Sequence, residues 1–401
     1  MAKAGQTNQM NILFLSSWFP FPPDNGSKLR VHNLLRGLAS QHEVTLLSFA
    51  DQEDVRMDMP EARAVCREVA AVPWKAFSPN SQRARRALFS VTPRSIADTF
   101  SNEMQQRVQE VIESKTVDLI IASQLSAAAY APSFRGIPAL FEEAEAGLLY
   151  EQFAHARLPW HRVRYGLTWV KQKYYLASLM SYFRGCTVVS EKERMLLRSC
   201  APGFREIEVI PNCVQLSEYA KMSAPVRAGT MVFTGSFRYQ VNHEAMVWFL
   251  SQIYPRICDR VPNVQMTITG DHSNLPLPSA KNVYLTGSVA DVRPLIASAW
   301  LAVAPIRRGG GTRLKILEAM SLRTPVVATS KGAEGLDVQH DEHLLIADTP
   351  EHFADQVVRL LKDPALRERL TENAYRLVSE KYDWGIVLPH FLHLVDKVAR
   401  A

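Results

Sequence analysis

At 401 residues the chain is long for one domain and natural for two, and 47% apolar with 21% charged residues is the composition of a globular protein. The net charge is +6, but residues 1–200 hold 24 basic against 19 acidic side chains, so the excess lies in the first half and points to an anionic partner there. No apolar run reaches membrane-span length, no nucleic-acid reading module is present, and the five cysteines (Cys66, Cys186, Cys200, Cys213, Cys258) form no C-x-x-C pair, which argues against a zinc site or disulfide framework.

The scattered cysteines suit a reducing cytoplasm, and MAKAGQTNQM has neither the apolar core nor the cleavage pattern of a signal peptide. Residues 11–16 (NILFLS) have the pattern of a buried first strand. The Pro- and Gly-dense loop SWFPFPPDNGSK follows, then a helical pattern over 28–39 with Val31, Leu34, Leu35 and Leu38 on one face. A second strand is expected over 43–49, which makes a βαβ unit and predicts a parallel sheet. No G-x-G-x-x-G follows the first strand, so a dinucleotide site is not expected there.

Residues 51–116 read as mostly helical with irregular joints, and QRARRALF (82–89) interleaves basic and apolar residues. A buried strand over 118–122 precedes a small-residue helix over 126–131. The strand over 139–141 delivers Glu142, Glu143 and Glu145 to its carboxyl end, where ligands of open α/β sheets bind. Gln124, Glu142 and Glu143, with Ser123, are therefore acceptor-side candidates; a solvated helix start is the alternative for the acids. Residues 152–190 contain no Asp or Glu, yet carry Arg157, Arg162, Arg164, Lys171, Lys173 and Arg184 among Trp and Tyr at helical spacing. Segment 157–184 thus suits a helix lying on an anionic membrane surface, against the alternative of a core-packed helix with a solvated basic face.

Strand 186–190 and a short helix over 191–199 close the first half. The polar segment 214–229 reads as an interdomain linker, after which the βα rhythm restarts. Strands are expected at 231–234, 264–269, 283–285 and 300–304, with helices over 243–257 and 291–299. Two further helices (351–362, 365–381) and a last one from Trp384 complete the chain.

The most informative stretch is 307–336, RRGGGTRLKILEAMSLRTPVVATSKGAEGL. Gly309, Gly310 and Gly311 free the backbone for positive φ and close approach to a ligand. Thr312 is placed to cap a helix beginning at Arg313, and such an N-terminus attracts phosphate. Arg313 and Lys315 add full charge in the first turn, and Glu318, three residues beyond Lys315, is placed to accept hydrogen bonds from sugar hydroxyls. A plain flexible turn followed by a surface Lys–Glu pair is the alternative.

This stretch resembles the donor-site segment of GT-B glycosyltransferases of the family 4 type found in bacterial surface-polysaccharide assembly. That family carries two Glu eight residues apart, then a Pro-led apolar strand. Here the second matches Glu318 and the strand matches TPVVAT (324–329), while the first position holds Gly310. The resemblance implies two Rossmann-like α/β domains facing across a cleft: an acceptor domain over 1–210, a linker over 211–228, a donor domain over 229–384 and a C-terminal helix over 385–401 returning to the first domain. It implies retaining transfer of a sugar from a UDP- or GDP-linked donor to a glycan or polyprenyl-linked acceptor, without metal or cofactor and without nucleic acid. Arg313, Lys315 and Glu318 would carry the catalysis. Asn25 and Gly26 stand where the family has a glycine pair that meets the donor; Gly235, Ser236 and Arg238 stand at its phosphate loop, and Gly287 and Val289 at its base-binding segment. The family's G-R…K pair after the first strand of the donor domain is missing, since Gly235 is followed by Ser236. A cytoplasmic protein, peripheral at the inner face of the membrane, is the expectation. A non-catalytic nucleotide-sugar or glycan-binding protein, kept open by the missing first Glu, and a nucleotide-sugar epimerase on the same fold are the alternatives.

Overall fold

Two parallel sheets organise the chain in the computed structural model, which describes residues 9–51, 60–156, 158–237, 239–272, 275–309 and 313–400. The first sheet is built from β1 (Asn11–Ser16), β2 (Glu43–Ala50), β3 (Glu68–Pro73), β4 (Leu119–Ser123), β5 (Ala139–Glu142), β6 (Gly185–Val188) and β7 (Ile207–Val209). Its order is β3-β2-β1-β4-β5-β6-β7, with every neighbouring pair parallel. Central strands β1 and β4 are apolar on both faces, as helices on both sides of a parallel sheet require.

The second sheet holds β8 (Arg227–Thr234), β9 (Gln265–Thr269), β10 (Val283–Gly287), β11 (Ala299–Ala304), β12 (Val326–Ala328) and β13 (Leu345–Ile346). It runs β10-β9-β8-β11-β12-β13, again wholly parallel. In each sheet the strand order reverses beside the first strand, between β1 and β4 and between β8 and β11. Loops leaving those carboxyl ends part to opposite faces and open a crevice there.

The chain divides into two compact units, one made of residues up to Pro211 with those from Leu388 on, the other Asn212–Val387. Each has its own apolar core. Residues 212–226, polar enough to read as a linker, are counted in the second unit, where buried Val214 bridges to Asp383. In the helix Trp384–Arg400, Leu388 packs against Gly37, Val398 packs against Gly185, and Lys397 pairs with Glu206 at 2.7 Å, all within the first unit.

Segment 51–116 corrects one expectation. It is not mostly helical throughout, because residues 68–73 (EVAAVP) form β3 at the sheet edge. Only Val72 of that strand is fully buried, and its apolar run, VAAV, is short and closes on Pro73.

Candidate functional site

In the second unit, the carboxyl ends of β8 and β11 meet the loop before the helix Leu314–Ser321. That helix starts at Leu314, one residue later than the sequence suggested. Arg313 occupies the N-cap position with φ −84° and ψ 83° and no side-chain cap, so it is not part of the first turn. Its guanidinium turns back instead, donating to the Gly309 carbonyl at 2.7 Å and to that of Arg308 at 3.3 Å. Arg313 is 8% exposed. Arg238, Gly310, Gly311 and Thr312 lie outside the described residues, as does Arg157.

Lys315 projects from the first turn into a shaped socket. Its Nζ donates to Asn242 Oδ1 at 2.9 Å and sits 4.1 Å from the centroid of the Phe233 ring. Asn242 Nδ2 in turn donates to the Ser236 carbonyl at 2.7 Å, fixing the turn after β8. Gly235 is required at that turn. Its φ is +151°, and a Cβ there would lie 2.8 Å from both Lys315 Nζ and Asn242 Nδ2. Burial, with Arg313 nearby, brings the Lys315 amine down to about 7; Glu318 pulls the other way. A poised, desolvated ammonium is thus held at the switch point, where an anion would restore its full charge.

Glu318 lies one turn further on. Its Oε1 accepts from the Tyr219 hydroxyl at 3.0 Å. Burial raises its carboxyl above the usual range, although the Tyr219 bond and Lys315 oppose the shift. Arg293 stacks over the Tyr219 ring at 5.8 Å and pairs with Asp291 at 2.9 Å, framing the acid. Gly309 has φ +91° with the Tyr239 hydroxyl 2.7 Å from where a Cβ would stand. Gly287, at φ +69°, closes β10, and its carbonyl accepts from the Gly270 amide at 2.9 Å; half-buried Val289 follows in the same loop.

The first unit holds a second cluster at the carboxyl ends of β4, β5 and β6. Arg30 Nε donates to Glu142 Oε1 at 2.7 Å, both side chains being almost wholly buried. Ser123 Oγ donates to Glu142 Oε2 at 2.6 Å, and Arg30 also reaches the Pro211 carbonyl at 3.1 Å. Both Glu142 oxygens are therefore committed within the fold. Glu142 thus stands inside the fold, and its neighbour Glu143 is half-buried. Gln124 (φ 68°) and Glu143 (φ 54°) are both in the left-handed region, rare for such residues, and Gln124 Nε2 donates to Glu143 Oε2 at 2.8 Å. The Glu143 amide donates to Thr187 Oγ1 at 2.9 Å. Burial pushes the Glu143 carboxyl up to about 7, with Glu142 adding to the shift while Arg30 and the Gln124 bond oppose it. Asn25 caps the helix Gly26–Ala39 by accepting from the Lys28 amide at 3.1 Å, and Gly26 is its first residue.

Sequence reasoning missed Asn242, Phe233, Tyr219, Asp291, Arg293 and Arg30. Arg30 alone left a signal: a charge four residues before Leu34, on the apolar face of the first helix. The others become neighbours only when β8, β11 and their helices are brought together. Among the described residues, no group of three or more His, Cys, Asp or Glu is placed to hold a metal.

A family model described as "Glycosyl transferases group 1" matches residues 228–363, which span β8 to β13 and the helix carrying Lys315 and Glu318. A 44.6 kDa protein in the cps region of Klebsiella pneumoniae is 26% identical over 164 residues, 38% of this chain and 42% of that protein. Glycosyltransferase 1 domain-containing protein 1 of Xenopus tropicalis is 26% identical over 148 residues, 34% and 43% of the two chains. The chain thus spans less than half the length of these curated relatives. Among solved structures, HepE of Anabaena in complex with UDP and glucose superposes with a TM-score of 0.66 at 15% identity, covering 97% of this chain and all of HepE. Sucrose-phosphate synthase from Thermosynechococcus elongatus gives 0.66 at 18% identity, covering 97% and 99%. Residues 228–363 are thus similar to the group 1 glycosyl transferases, and the chain carries the GT-B fold.

Proposed function

We propose that the chain transfers a sugar from a UDP- or GDP-linked donor to a hydroxyl of a glycan or polyprenyl-linked acceptor, with retention and without a metal. The observation that carries this reading is the Lys315 socket at the β8/β11 switch point. There a desolvated amine is aligned by Asn242 and closed over by Gly235. Such a group stabilises the charge that develops on a leaving diphosphate, because it is oriented before the reaction and shielded from water. Arg313 lies beside it, and Glu318 is placed to hold ribose hydroxyls. The UDP and UDP-glucose complexes of HepE support a nucleotide sugar as donor. The cps-region relative supports a role in surface-polysaccharide assembly.

The helix Pro159–Met180 favours a site of action at an anionic membrane surface. Trp160, Val163, Leu167, Val170 and Tyr174 recur at three- and four-residue spacing and are all exposed, with Arg164 and Lys171 on the same side. Among the described residues, no helix is long and apolar enough to cross a membrane.

A thermal-shift panel of UDP- and GDP-sugars tests the donor. Saturating ligand at about 100 times its Kd stabilises by roughly 2.7 kcal/mol, a shift that is easily read. Glu318→Ala is expected to abolish the shift and to cut transfer at least tenfold. Full retention of both would remove the donor-site assignment. Turnover of the nucleotide sugar with no acceptor present would favour an epimerase, and binding without any turnover a recognition module.

A further inference from the structure

The carboxyl ends of β1, β2 and β3 surround a small aromatic cavity that the donor reading does not use. Its volume is about 140 Å³, and it is walled by Trp18, Phe49 and Trp74, with Ser17, Asp24 and Lys28 at its polar edge.

 At 140 Å³ the aromatic cavity is below the roughly 300–1,000 Å³ of sites that take drug-sized ligands, so it has room for about one ring.

The aromatic walls are held in place without a ligand. Trp74 meets the edge of buried Phe49 at 5.6 Å between centroids. Trp18 faces Trp74 at 5.8 Å with the rings tilted by 31°. The Trp18 backbone is pinned on both sides by Ser16, whose Oγ accepts from the Trp18 amide at 3.2 Å and donates to its carbonyl at 2.6 Å. Yet the Trp18 side chain is 40% exposed. A large aromatic group fixed in the open at strand carboxyl ends serves contact with a ligand better than it serves the core.

The polar edge selects among ligands. Lys28 pairs with Asp24 at 3.0 Å, which places an ammonium at the rim and disfavours a cationic guest between the indoles. A pyranose fits both parts of the cavity: its C–H face packs on indole, and its hydroxyls find a donor in Lys28 and an acceptor in Asp24. Ser17 also joins the cavity to the acid cluster. Its Oγ donates to the Ser123 carbonyl at 3.0 Å and contacts the Ser126 hydroxyl, next to Gln124 and Glu143.

We infer that the cavity between Trp18 and Trp74 is a subsite for one pyranose ring of a saccharide acceptor. The acceptor role rests on the glycosyltransferase reading; saccharide binding at the cavity does not. The test is saturation-transfer NMR on the full chain with the methyl glycosides of glucose, galactose, mannose and N-acetylglucosamine, with UDP titrated separately. At least one glycoside is expected to receive saturation at about 10 mM, a concentration suited to millimolar affinity. Trp18→Ala should weaken that binding at least tenfold, and Trp18→Phe, which keeps an aromatic face, only a few fold. Both variants should bind UDP as the parent does. The inference is overturned if no glycoside receives saturation, or if Trp18→Ala binds it unchanged. Loss of UDP binding by the parent chain would instead remove the donor reading and the acceptor role, leaving a saccharide site.

Discussion

Lys315 is the residue whose environment most constrains the chemistry. Burial lowers its amine to about 7 from an ordinary 10.5, so between those values the unfolded chain binds a proton that the folded chain does not. The sign follows: this group adds stability to the empty protein as pH rises through 7 towards 10.5, and below 7 the cost of burying the cation is borne in full. A bound diphosphate reverses the preference, because the anion restores the proton. UDP affinity is therefore expected to fall by up to about tenfold per pH unit above 7, with proton uptake on binding. Calorimetry in two buffers of different ionisation enthalpy reads that uptake. Lys315→Arg, which stays charged throughout, should flatten the profile. An unchanged Kd from pH 6.5 to 8.5 in the parent chain would show that Lys315 does not meet the diphosphate.

Glu143 runs the other way. Its carboxyl is raised to about 7 from 4.5, so its stabilising contribution is present below the lower value and is lost as pH rises through the upper one. Glu143→Gln is expected to raise the melting temperature at pH 8 and to leave it nearly unchanged at pH 5, as scanning calorimetry would record. Equal shifts at both pH values would mean that the acid is not held in a desolvating site. The residues that carry charge here, Lys315 and Glu318, were legible from their spacing behind the glycines. Their partners were not, because Asn242 lies 73 positions from Lys315 and Tyr219 lies 99 from Glu318, and no local pattern encodes either contact.

At the scale of elements, alternation of apolar runs with amphipathic stretches located most strands of both sheets. It failed where a strand lies at an edge and buries little, as in β3, and where a helix start was inferred from a threonine rather than from backbone geometry, as at Arg313. The helix Pro159–Met180 shows why composition alone left two readings open. Trp169, Gln172, Leu176, Leu179 and Met180 are buried, so one face does pack in the core. The opposite face exposes Leu167 at 69% and Tyr174 at 67%. Lys171 donates to the Ala87 carbonyl, which brings the exposed Leu88 and Phe89 and the arginines at 83, 85 and 86 up to the same helix. Flotation with phosphatidylglycerol vesicles at low salt should therefore carry the protein, neutral vesicles should carry less, and Leu167→Asp should reduce binding several fold. Equal recovery with and without Leu167→Asp would place the contact elsewhere or remove it.

At the scale of the molecule, two sheets with the same reversed strand order supply two crevices, and the side chains divide between them: an amine and an acid at β8/β11, the strained Gln124–Glu143 pair and an aromatic cavity at β1/β4 and beyond. The units are joined covalently at Pro211–Asn212 and within the last helix, whose residues from Leu388 on belong to the first unit. Phe391, Leu394, Val395 and Val398 of that helix are all buried. Burying each contributes about 1.5–3 kcal/mol, so together they rival the roughly 5–15 kcal/mol that keeps a domain folded. Leu394→Asp, which puts a charge into that contact, should lower the transition of the first unit in scanning calorimetry, while UDP raises that of the second. If the substitution and the nucleotide shift a single common transition, the two units unfold as one, and the last helix is part of a core that serves both sites rather than a private element of the first.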